Sequence, residues 1–77
     1  MKLVEAIGRR VDTLLKDKNF TLYKLQITGG VPRSTVSDVI LVKKKRVSTD
    51  TIYQICDTLG ISLKDFFDDP IFDEVDD

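Results

Sequence analysis

Arg33, Ser34, Thr35, Ser37 and Asp38 crowd into six consecutive positions broken only by Val36. One guanidinium, three hydroxyls and a carboxylate are short, hydrogen-bonding groups. That is the equipment of a helix lying in a DNA major groove, where base edges present donors and acceptors to be matched. Arg33 can meet a guanine through two parallel hydrogen bonds. The expectation is that Arg33, Ser34 and Ser37 contact base edges, with Thr35 and Asp38 on bases or nearby phosphates. Helix capping is the plain structural alternative for Ser34. Five residues on, Lys43, Lys44, Lys45 and Arg46 stand in a row. Four successive cations repel one another inside a helix, so they are placed in a loop beside the DNA backbone, where they would bind phosphates. A solvated charge run and a nuclear-localisation signal are the alternatives. Tyr23 and Lys24 are weaker phosphate candidates.

These side chains need two short helices and a tight turn, and Thr21 to Leu41 supplies them. Thr21 can cap the first helix through its hydroxyl oxygen. Gly29-Gly30 breaks that helix, because glycine takes the left-handed conformation without steric cost. Pro32 can open the second helix, expected at about residues 32–42. Leu25, Val31, Val36 and Val39 then face inward and leave the polar residues outside. The pattern is that of a helix-turn-helix.

The flanking segments are helical as well. Between Lys2 and Lys18, Val4, Ile7, Val11, Leu14 and Leu15 recur at core-facing helical spacing. Asn19 suits a helix stop, and Phe20 can plug the core. Ser48 caps a further helix with Asp50 in its first turn, and Ile52, Ile55, Cys56 and Leu59 form its inner stripe. Gly60 ends it and Ile61 can close an apolar cap contact. Ser62 to Asp65 starts a short last helix with Leu63, Phe66 and Phe67. With no strand signal, the expected fold is all-α, a compact five-helix bundle.

A chain of 77 residues forms one small domain. Its formal charge of −1 hides an asymmetry. Residues 1–60 hold eleven Lys or Arg against six Asp or Glu, while residues 61–77 set Lys64 against seven acids. A basic body with an acidic tail points to nucleic-acid binding by the body. No histidine is present for general acid–base work and no cysteine cluster for zinc. The acids lack calcium-loop spacing, and Gly29-Gly30 lacks the lysine and strand of a phosphate loop. No enzymatic activity and no cofactor or metal is expected. Cys56 is the single cysteine, on a core stripe, and fits a reducing cytoplasm. Neither a signal peptide nor a membrane span is expected.

The segments TLYKL, GVPRSTVSDVI, STDTIYQICDTLGIS and LKDFF, together from about Phe20 to Phe67, resemble the helix-turn-helix domain of the Cro/phage-repressor (Xre-type) family of bacterial and phage regulators. That resemblance implies a lambda-repressor-like five-helix bundle and sequence-specific binding of a double-stranded DNA operator, usually as a dimer. It also implies transcription control, with repression the favoured direction. Leu22 stands where such proteins often carry a phosphate-binding glutamine, and Gln26 where alanine lets the two helices approach. Gly29 replaces a common apolar residue, and Val42 and Val47 replace a common glycine and proline.

The expected organisation is a DNA-binding domain over residues 1–67 and an acidic tail over 68–77. A homodimer is expected through the apolar end near the last helix, which could also receive a protein partner. An interaction module on the same fold that does not read DNA is the competing reading. Within the tail, Ile71, Phe72 and Val75 are expected to pack, with Asp76 and Asp77 free; a disordered solubilising end and an acidic competitor folded on the basic body are the alternatives.

Overall fold

A computed structural model describes residues 1–77. Five α-helices follow in order: α1 Leu3–Asp17, α2 Leu22–Gly29, α3 Arg33–Ile40, α4 Thr49–Leu59 and α5 Leu63–Phe67. A 3-10 helix at Pro70–Glu74 follows, and there is no strand.

The helix starts obey local chemistry. The hydroxyl oxygens of Thr21, Ser48 and Ser62 accept from the amides of Lys24, Asp50 and Asp65 at 3.0, 3.1 and 3.0 Å. After α1 the chain turns at Asn19 with φ 54°, the left-handed conformation expected of this stop. Gly30 takes φ 72° after α2. Gly29, expected to break the helix with Gly30, is instead the last residue of α2, and a Cβ there would lie 1.8 Å from the Thr58 hydroxyl of α4.

The second motif helix is shorter than the expected 32–42. Pro32 keeps an extended ψ of 137° and precedes the helix, so α3 opens at Arg33. At the other end Val42 has φ 55°, which stops the helix. A β-branched residue is strained in that conformation, and this is where the family resemblance places glycine.

One core joins the helices. Leu25, Val31, Val36 and Val39 are buried together with Ile7, Val11, Leu14 and Leu15 of α1 and Ile52, Ile55, Cys56 and Leu59 of α4. Val4 is only half-buried, while Ala6 is fully buried. Burial pushes the Cys56 thiol up, away from the reactive thiolate.

The recognition-type helix α3 is seated on α1. At Gly8 the approach is so close that an added Cβ would fall 2.6 Å from the Val39 carbonyl oxygen. Helix propensity alone favours alanine there by about 1 kcal/mol. A clash with rigid backbone outweighs that, since overpacking costs about 1–3 kcal/mol. Gly8→Ala is therefore expected to destabilise the fold, lowering the melting temperature by about 4–8 °C per kcal/mol lost. A thermal melt showing stabilisation would contradict the close approach.

The tail returns along α1. Phe72 packs on the core and against Phe66 and Phe67, with ring centroids 6.0 and 5.0 Å apart. Ile71 and Val75 are half-buried. Arg10 ties this corner together. Its guanidinium donates to the Phe66 and Asp65 carbonyls, both at 2.8 Å, and to the Asp69 carboxylate at 3.1 Å.

The expectation of a free Asp76-Asp77 does not hold. The Met1 ammonium donates to the Asp76 carboxylate at 2.7 Å, and the Leu3 amide donates to that of Asp77 at 2.9 Å. The hydrogen bond from the ammonium holds the Asp76 carboxyl below its ordinary range. The start of α1 lacks a side-chain cap of its own, so carboxylates from the tail meet amide and ammonium donors there. Shortening the chain after Asp69 is expected to cost about 1–3 kcal/mol through loss of the Phe72 contacts. An unchanged melting temperature would show that the tail contributes nothing to stability.

Candidate nucleic-acid interface

Burial of Val36 and Val39 sets the rotation of α3, since residues three apart lie on one face. Arg33 and Ser34 are consequently exposed, and Thr35, Ser37 and Asp38 are half-buried at the edges of the outer face. Ser34 makes no capping bond. Leu41, at 60% exposure, continues that face by the spacing 34, 37, 38, 41. It was not among the residues expected at the site. The same spacing rule could have found it.

The basic loop folds back on the end of α3. The Leu41 amide donates to the Ser37 carbonyl at 2.9 Å, and that of Lys43 to the Asp38 carbonyl at 3.0 Å. The Ser48 cap fixes the loop's far end to α4. Lys43, Lys44, Lys45 and Arg46 are all exposed, and none forms an ion pair. A groove of about 230 Å³ is lined by Thr35 and Asp38 of α3, by Lys44 and Arg46 of the loop, and also by Val4 of α1 and Thr51 of α4.

At the opposite end of α3, Arg33 is held by α2. Its Nε donates to the Gln26 side-chain oxygen at 3.1 Å, and its guanidinium carbon lies 5.8 Å from the centre of the Tyr23 ring. Tyr23 is 58% exposed. Lys24 is placed differently, its ammonium 4.6 Å from the centre of the Phe20 ring. Gln26 was missed as a site residue because the sequence suggested only that it is large where alanine is common. It is exposed, so its bulk does not hold α2 and α3 apart.

No group of three or more His, Cys, Asp or Glu side chains is placed to hold a metal ion, and no helix is long and apolar enough to cross a membrane. The surface offers hydrogen-bonding groups on α3 beside four exposed cations that form no ion pair.

Comparison with curated proteins finds no match. Among solved structures, the crystal structure of the prophage Lp1 protein 11 superimposes with a TM-score of 0.80 at 36% identity, over 97% of this chain and 100% of the other. A family model for the Cro/C1-type helix-turn-helix DNA-binding domain matches residues 10–70. The chain belongs to the Cro/C1-type helix-turn-helix DNA-binding family.

Proposed function

We propose that this protein is a sequence-specific transcriptional regulator that represses by occupying a double-stranded DNA operator as a homodimer, and that it acts in the cytoplasm. The observation that carries the reading is one groove lined jointly by Thr35 and Asp38 of α3 and by Lys44 and Arg46, in a loop whose cations form no ion pair. Arg33, Ser34 and Ser37 read base edges, and Thr35 and Asp38 contact bases or adjacent phosphates. Lys43, Lys44, Lys45 and Arg46 grip the backbone, with Tyr23 and Lys24 in lesser contact. An interaction module would need neither the polar helix face nor the free cations.

Dimerisation follows from the reach of one short helix. Eight residues of α3 can address only a few base pairs, so two copies on a symmetric site supply the remaining discrimination. Half-sites about 34–36 Å apart match the spacing of helix-turn-helix dimers. Leu63 and Phe67, one turn apart on α5 and 42% and 43% exposed, are the proposed contact between copies. Sedimentation with a symmetric operator is expected to give two chains per site, and a promoter overlapping that site is expected to fall silent. One chain on a single half-site would remove the dimer from this reading.

A further inference from the structure

We propose that Gln26 and Tyr23 are positioning residues for sequence readout: they hold Arg33 so that the outer fork of its guanidinium is presented to one guanine. The inference rests on α3 being the base-reading helix.

Arginine carries five N–H donors, one on Nε and four on the two terminal nitrogens. Here Nε is taken by the Gln26 side-chain oxygen at 3.1 Å, and the terminal nitrogens make no hydrogen bond within the chain. Four donors are left free, and they include the parallel pair that fits O6 and N7 of guanine. Had the terminal nitrogens been bound instead, the fork would be spent inside the protein. The Tyr23 ring biases the remaining freedom, since the guanidinium lies over it within the range of cation–π attraction. Tyr23 and Gln26 are three residues apart on α2, so one helix face provides both contacts. Val31, fully buried in the turn, and Gly30 set the separation between that face and the first residue of α3. Arg33 would otherwise lose several rotatable bonds of freedom on binding DNA, and a pre-formed cradle reduces that loss.

Gln26 is also exposed and uncharged, which separates positioning from folding and from general phosphate attraction. The test uses the full chain and the DNA site that it selects from a random pool. Discrimination at each base pair is measured for Gln26→Ala, Arg33→Ala, the double variant and Tyr23→Phe. Gln26→Ala is expected to lower the preference for guanine at one base pair by about 2- to 10-fold. The salt dependence and melting temperature should not move. In the Arg33→Ala background, Gln26→Ala should change nothing further. Tyr23→Phe keeps the ring face and loses a hydroxyl assigned to the DNA backbone, so affinity should fall alike for all sequences while the guanine preference stays.

Three results would overturn the proposal. They are an unchanged guanine preference in Gln26→Ala beside a lost one in Arg33→Ala, additive effects in the double variant, or a preference lost in Tyr23→Phe. If Arg33→Ala itself leaves every base preference intact, it is the assignment of α3 as reader that fails.

Discussion

Replacing Lys43, Lys44 and Lys45 by glutamine is expected to weaken binding to every DNA sequence alike, by about two to three decades per bound chain at 0.1 M salt. Each phosphate contact releases condensed counterion and contributes about 0.9 to the slope of log affinity against log salt. Three contacts therefore account for about 2.7 of that slope per chain, twice that for a dimer, and the same per-chain figure in decades separates 0.1 M from 1 M salt. The three ammonium groups form no ion pair in the free protein, so none must be broken before DNA is gripped. Their backbone is also held in place, between the Asp38 carbonyl and the Ser48 cap. Binding measured across a salt series checks the expectation. An unchanged slope would take this loop out of the interface.

Arg33→Ala is expected to act in the opposite manner, on sequence preference rather than on salt dependence. A bidentate arginine–guanine contact discriminates by about 1–3 kcal/mol, so affinity for the preferred site should fall by about 5- to 150-fold for each half-site occupied. Affinity for unrelated DNA should fall much less, because that binding is dominated by phosphate charge. Arg33 is exposed and its loss removes no core contact, so the melting temperature should stay close to that of the parent chain. An equal loss on specific and unrelated DNA would recast Arg33 as a phosphate contact.

The parts of this fold legible in the sequence are those governed by neighbours along the chain. Thr21, Ser48 and Ser62 act on amides two or three residues ahead, so their capping follows from local pattern. The stripe of Ile52, Ile55, Cys56 and Leu59 follows from helical period in the same way. Contacts made by the assembled fold left no comparable signal. Gly8 reads as a neutral member of α1 until α3 is laid against it and the Val39 carbonyl comes within reach. Arg10 looks like one of two solvated arginines, yet it reaches across to Asp65, Phe66 and Asp69. Asp77 pairs with the Leu3 amide 74 positions away, which no local rule anticipates.

The candidate site divides along the same line. The polar face of α3 was readable because Val36 and Val39 orient it from within the helix. The loop position of Lys43 to Arg46 was readable because a run of like charges disfavours a helix. The hold of Gln26 on Arg33 was not, because it depends on how the turn at Gly30 and Val31 sets α2 against α3.

Selection of bound sequences from a random DNA pool, run side by side with the parent chain and Arg33→Ala, tests most directly whether α3 reads DNA. The account predicts that the parent chain enriches a two-fold symmetric site with half-sites about one helical turn apart. Each half-site should contain a guanine whose selection disappears in Arg33→Ala. A pool that stays random after repeated rounds, or one that is enriched identically by both proteins, would contradict it.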